Sequence, residues 1–188
     1  MNKAVFIDKD GTLVEDVPYN VDPERICFTQ DALAALRILK SHGYLLIVIS
    51  NQSGIAHGYF SKDDLERLSG RLQEMAQMEG VEFDDFYFCP HHPAGRVLEY
   101  AVVCDCRKPQ PGMLLAAARK YNIDLSASWM IGDILNDVEA GSRAGCRTIL
   151  INNGNETKWQ LSENRLPTVI VTDLRRAAER IIYEQELV

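Results

Sequence analysis

With 188 residues, 46% of them hydrophobic and 25% charged, the chain has the make-up of one globular domain with a single substantial core, not of a disordered or fibrous protein. A formal charge of -7 argues against broad binding to nucleic acid or anionic membrane, both of which need a basic face. No apolar run approaches bilayer length and the first residues lead straight into a short strand, so a cytoplasmic, monomeric protein with no membrane or nucleic-acid partner is expected.

In chain order, residues 4–7 form a first apolar run that ends on Asp8-Lys9-Asp10-Gly11-Thr12, followed by an irregular stretch over 14–27. A helical pattern at 31–41, with Asp31 as expected N-cap and Gly43 as stop, precedes a strand at 45–49 that ends on Ser50-Asn51. A loop over 52–60 leads to Ser61, the expected cap of a helix at 62–79 that stops at Gly80. A strand at 86–88 opens the long loop 90–107, and a helix at 112–121 follows. The strand at 129–131 delivers Gly132-Asp133, and after it come a helix at 137–144 and a strand at 148–151. Residues 152–164 read as a polar surface connection, and a strand at 168–171 and a helix at 173–183 close the chain. Apolar runs without alternation, separated by helices, predict a doubly wound, mostly parallel α/β sheet in one domain spanning 1–188, with no large cap domain. The irregular stretches 14–27, 52–60 and 90–107 each follow a strand, so they project from the carboxyl edge where open α/β sheets bind ligands.

Residues two apart on an extended segment face the same way, so Asp8 and Asp10 bring two carboxylates together and call for a cation. Magnesium suits them, because it takes a few carboxylates and completes its shell with water and substrate phosphate. Gly11 permits the sharp turn that follows. Ser50 and Asn51 can donate to phosphate oxygens, and Arg107-Lys108 lies beside a helix start where anions bind. Asp133 adds a third carboxylate, while Asn136 or Asp137 reads equally well as a cap of the next helix.

Three of the five cysteines cluster around a histidine pair, in Cys89-Pro90-His91-His92 and Cys104-Asp105-Cys106. Three thiolates and one imidazole make a closed tetrahedral set for structural zinc within a loop at 89–107. Spacing leaves open which histidine binds; His91 is the expectation, with His92 beside the site or on the substrate loop. Cys27 and Cys146 have no such partners. Because Cys106 abuts Arg107-Lys108, fixing the metal loop also fixes the two cations.

The order Asp-x-Asp-Gly-Thr, Ser-Asn, Lys, Gly-Asp-x3-Asp, each at a strand end or helix start, resembles the haloacid dehalogenase superfamily of phosphohydrolases over nearly the whole chain. That resemblance implies Asp8 as nucleophile, Asp10 as general acid and base, and Ser50 and Lys108 as phosphate ligands. It also implies that Asp8, the main-chain carbonyl of Asp10 and Asp133 hold magnesium. Within the superfamily, Cys-Pro-His-His-Pro, Cys-Asp-Cys-Arg-Lys-Pro-x-Pro-Gly-Met and Ser-Asn-Gln-Ser-Gly-Ile-Ala resemble the family of heptose 1,7-bisphosphate 7-phosphatases, which serve lipopolysaccharide core precursor synthesis. The histidinol-phosphate phosphatases are the nearest competitor. The heptose resemblance implies a small phosphorylated sugar as substrate, contacted by Asp16, Tyr19, Asn51, Gln52, Ser53 and Arg107. His57 stands where that family commonly has Arg, and Ile134 where some members carry a basic residue.

Two readings from other classes compete. A phospho-receiver would place an adjacent acidic pair after its first strand, and here the Asp-x-Asp order differs. A zinc-stabilised binding module leaves Asp8, Asp10 and Asp133 without a purpose.

Overall fold

In the computed structural model, which describes residues 1–186, six parallel strands form one sheet. They are β1 (Lys3–Ile7), β2 (Tyr44–Asn51), β3 (Asp85–Cys89), β4 (Trp129–Gly132), β5 (Arg147–Ile151) and β6 (Val169–Val171), in the spatial order β3-β2-β1-β4-β5-β6. The helices are α1 (Ala32–Ser41), α2 (Gly54–His57), α3 (Lys62–Met78), α4 (Gly112–Tyr121), α5 (Leu135–Ala144) and α6 (Leu174–Glu186). This is the parallel, Rossmann-like architecture expected from the apolar runs.

The runs are apolar without alternation because both faces of the sheet are covered. Successive side chains of β1 feed opposite layers: Val5 and Ile7 pack with α1, α3 and α6, while Ala4 and Phe6 pack with α4 and α5. In β2, Leu46 and Val48 join the first layer and Ile47 and Ile49 the second. A fully buried leucine such as Leu36 of α1 anchors this packing, and its truncation to alanine would cost about 2–5 kcal/mol. The edge strands are less covered, and Ile170 of β6 is 53% exposed.

Local signals account for most helix ends. Ser61 caps α3 through a reciprocal pair, its Oγ accepting from Asp64 N–H at 3.2 Å while Asp64 Oδ2 accepts from Ser61 N–H at 2.7 Å. Gly43 and Gly80 end α1 and α3 in the left-handed region, with φ of 80° and 74°. Asp31 does occupy the N-cap position of α1, but it adopts a left-handed φ of 58° and makes no side-chain cap hydrogen bond. Capping side chains reach the first turn from an extended backbone, which Asp31 does not have. The stretch 52–60, read as loop, contains the single turn α2, and α5 begins at Leu135 rather than at residue 137.

The chain runs β1 to β2 to β3 in one direction and then returns to β4 on the far side of β1. The β1–β4 seam is therefore the topological switch point, with Ile7 opposite Ile131 and the next residues, Asp8 and Gly132-Asp133, leaving the sheet side by side. Among the described residues, no helix is long and apolar enough to cross a membrane.

Candidate active site

Asp8 extends β1 by one residue, its N–H donating to Ile131 O at 2.9 Å, so the carboxylate stands rigidly at the seam. The chain then turns at Gly11, where φ is +80° and an added Cβ would overlap Asp133 Oδ2. Glycine is required there on both counts. Lys108 reaches the seam from the loop before α4, with Nζ donating to Asp8 Oδ1 at 2.5 Å and to Ile49 O at 3.0 Å. Its Nζ also forms an ion pair with Asp137 Oδ1 at 2.6 Å.

Asp8, Asp133 and Asp137 are all buried, and each offers an oxygen within 4.8 Å of the others. Three carboxylates thus face one ammonium. Burial pushes Asp8 up to about 7, with Lys108 opposing and Asp137 adding to the rise. Burial pushes Asp133 up to about 6, Asp8 adds to it and the Asn155 hydrogen bond opposes it. Asp137 is likewise raised by burial against the pull of Lys108. Burial draws Lys108 down, but Asp137 and Asp8 outweigh it and hold its ammonium above the ordinary lysine value. An all-oxygen cluster with this surplus of negative charge fits a hard divalent cation.

Asp10 turns toward Lys9, with which it forms an ion pair, and its Oδ2 accepts from Gln52 Nε2 at 2.9 Å. The same Gln52 nitrogen donates to Ser50 Oγ at 2.7 Å, which links Asp10 and the buried Ser50 through one amide. Asn51 is engaged at both ends by the Lys108 backbone: its Oδ1 accepts from Lys108 N–H at 3.0 Å and its Nδ2 donates to Lys108 O at 3.1 Å. Asn51 therefore fixes where Lys108 leaves its loop. A cavity of about 270 Å³ opens beside this group and is lined by Asp10, Asp16, Tyr19, Asn51, Gln52 and Ser53 among others. Arg107 lies apart from that lining, with its NH1 donating to His91 O at 3.2 Å.

The sulfur cluster sits at the end of β3. Cys106 Sγ lies 2.9 Å from Cys89 Sγ, 3.3 Å from Cys104 Sγ and 3.3 Å from His91 Nδ1. All four residues present donors within 4.8 Å of one another, a set able to hold one soft or borderline metal ion. Contact with Cys89 and burial hold the Cys106 thiol above its ordinary value. His91, not His92, faces this cluster. The His92 Nδ1 accepts from Ala94 N–H at 3.2 Å, and its ring lies 5.0 Å from that of His57.

Sequence reasoning left two contributors underused. Asp137 was offered as a cap, and its Oδ2 does accept from Ile134 N–H at 3.3 Å, but its other oxygen faces Lys108 from the first turn of α5. The stretch 152–164 was read as surface connection, yet Asn155 Nδ2 donates to Asp133 Oδ2 at 2.6 Å. Position directly after the carboxyl end of β5 was the available signal.

A family model described as "HAD-hyrolase-like" matches residues 105–177. The chain is 44% identical over 155 residues to the D-glycero-β-D-manno-heptose-1,7-bisphosphate 7-phosphatase of Pasteurella multocida, covering 82% of this chain and 84% of that one. It is 43% identical over 185 residues to the enzyme of the same name from Haemophilus influenzae, covering 96% and 99%. Among solved structures, a HAD-like phosphatase of Mesorhizobium loti superposes with a TM-score of 0.82 at 33% identity, covering 96% of this chain and 87% of the other. The D,D-heptose 1,7-bisphosphate phosphatase of B. bronchiseptica, solved with magnesium and phosphate, gives 0.79 at 29% identity, covering 97% and 99%.

Proposed function

We infer that this chain, which belongs to the haloacid dehalogenase superfamily of phosphatases and is closely related to the heptose 1,7-bisphosphate 7-phosphatases, removes the 7-phosphate of D-glycero-D-manno-heptose 1,7-bisphosphate through a phospho-aspartate. In that role it serves ADP-heptose and lipopolysaccharide core precursor synthesis. The observation that carries this reading is Asp8 at the β1–β4 seam, with an oxygen bonded to a buried lysine and two further carboxylates within 4.8 Å.

In this reading the Asp8 carboxylate attacks phosphorus as the bond to the sugar oxygen at carbon 7 breaks, and Asp10 gives that oxygen its proton. Asp10 then takes a proton from the water that opens the acyl phosphate, which regenerates the Asp8 carboxylate and releases phosphate. Splitting one slow displacement into two is the gain of the covalent route, and most of the acceleration comes from positioning and charge neutralisation. Lys108 and Ser50 hold phosphoryl oxygens. Gln52, which bonds both Asp10 and Ser50, keeps the proton-transfer group and the phosphate ligand in register. Asp8, the Asp10 carbonyl and Asp133 would hold magnesium, which when bound adds positive charge beside the phosphoryl group and offsets the surplus of the carboxylate cluster. Cys89, His91, Cys104 and Cys106 would hold zinc, leaving no open position for chemistry there.

The sugar occupies the cavity beside Asp10, with Asp16, Tyr19, Asn51, Gln52 and Ser53 offering donors and acceptors to its hydroxyls. Arg107 receives the anomeric phosphate. Phosphate release from heptose 1,7-bisphosphate, other sugar phosphates and histidinol phosphate tests the assignment. The heptose bisphosphate is expected to give the highest kcat/KM; a higher value for histidinol phosphate would overturn the substrate while leaving the phosphatase class intact.

A further inference from the structure

Asp133 has two side-chain partners among the described residues. Thr12 Oγ1 lies 3.4 Å from its Oδ1, a long contact, and Asn155 Nδ2 lies 2.6 Å from its Oδ2, a short one. Asn155 belongs to the segment that leaves β5, and that segment is tied to the seam at two further points. Asn153 Nδ2 donates to Gly11 O at 2.7 Å, on the turn that carries Asp8 and Asp10. Glu156 Oε2 accepts from Leu135 N–H at 2.7 Å, at the start of the helix that carries Asp137. An Asx turn, with Asn153 Oδ1 accepting from Asn155 N–H at 3.1 Å, sets the spacing between the first two ties.

The three ties grip the three chain segments that bring the carboxylates together: the turn after β1, the residue after β4, and the first turn of α5. The chemistry of the middle grip is informative. A lysine at position 155 would neutralise Asp133 and compete with a cation, and an aspartate would repel it. A neutral amide donor orients one oxygen of the carboxylate and leaves its charge free. Thr12 and Asn155 also line a cavity of about 510 Å³, whereas the buried Asp133 does not. Asn155 therefore closes the wall between the carboxylate cluster and that open space.

We propose that Asn155 is a positioning residue that holds Asp133 within reach of Asp8 and so sets the affinity of the seam for its divalent cation, with Asn153 and Glu156 fixing the segment that carries it. The inference rests on the magnesium site of the proposed function. It concerns cation binding and is independent of the sugar.

The test is a calorimetric titration of magnesium chloride into full-length protein dialysed free of magnesium, for the wild type, Asn155→Ala and Asn153→Ala, with zinc content checked in each. Loss of a group that orients a metal ligand typically weakens binding about 10- to 100-fold, and Asn155→Ala is expected in that range. Its turnover should recover when magnesium is raised in proportion. Asn153→Ala should weaken binding less, but by at least about threefold on the same scale. A smaller change in Kd for both variants, or a loss confined to kcat at saturating magnesium, overturns the proposal even if the melting temperature falls. Should Asn155→Ala not fold, Asn153→Ala decides by the same threshold. Magnesium binding absent from the wild type would overturn the functional reading as well, whereas normal wild-type binding with unchanged variants overturns this inference alone.

Discussion

The carboxylate cluster takes Asp8 and Asp133 from the ends of the two central strands and Asp137 from the first turn of α5. The sulfur cluster takes Cys89 from the end of an edge strand and His91, Cys104 and Cys106 from the long loop that follows. The first contains its own cation, Lys108, whose ammonium touches two of the carboxylates. The sulfur donors pack against one another and against the His91 ring, with no charged side chain in the set. A site standing on the packed core is preformed, whereas a site closed by a loop depends on its metal for shape. The two meet at Cys106-Arg107-Lys108, so a loss of order in the loop reaches the seam through two peptide bonds.

The comparison predicts that damage at the seam removes chemistry without removing structure. Asp8→Asn keeps the volume and loses the nucleophile, and turnover should fall by at least about 10³-fold, as for other residues whose removal ends the covalent route. Zinc content and far-UV circular dichroism should stay as in the wild type. Activity near the wild-type level would sink the covalent mechanism.

Damage to the sulfur cluster should show the converse. Cys104→Ser removes one donor, and zinc measured after purification should drop well below one per chain. Turnover should fall about 10- to 100-fold, because the orientation of Lys108 is lost while the seam carboxylates remain. Limited proteolysis should cut first within residues 90–107. Full activity in a zinc-free, stable variant would show that the loop does not support the seam.

How far these regions were legible in the sequence follows from the range of the signals. The central strands were legible because burial on both faces writes itself as an unbroken apolar run, and Asp8, Ser50 and Asp133 could be placed because each sits directly at a strand end. The sulfur donors were legible from spacing, although only the path of the loop after β3 separates His91 from His92. What was not legible depends on contacts between distant segments. Nothing local distinguishes Asn155 from a turn residue, and its partner Asp133 is brought to it by sheet topology alone. The grip of Asn51 on both backbone atoms of Lys108 was not legible either, because it joins residues 57 apart in the chain. Asp31 failed as a side-chain cap because residue type predicts a cap and backbone conformation decides it.

Arg107 bridges the two regions, since its guanidinium holds the backbone of His91 next to Lys108. If it also receives the anomeric phosphate, Arg107→Ala should lower kcat/KM for the bisphosphate about tenfold more than for a small monophosphate, the range of one charge-assisted hydrogen bond. Equal losses on both substrates would restrict Arg107 to supporting the loop.

The smallest expected effect is on stability, and it isolates the surplus charge of the seam. Asp133 is raised to about 6 and Asp8 to about 7, both above the ordinary carboxylate value of 3.8, and burial is the largest cause in each case. In the magnesium-free protein the folded state therefore binds these protons more tightly than the unfolded state does. The stability they contribute is fully present below pH 3.8 and is lost as pH rises through 6 and 7. Asp133→Asn has no such proton at that position, and it relieves Asp8 of one neighbouring charge. Its melting temperature should accordingly rise relative to the wild type between about pH 4 and pH 7 and hold a constant lead above that, on a scale of about 2–4 °C per kcal/mol for a domain of this size. Saturating magnesium should erase the lead by stabilising the wild type, because the cation favours the ionised carboxylates that burial disfavours. A difference between the two proteins that stays flat with pH in the absence of magnesium would show that the surplus charge is already compensated within the fold.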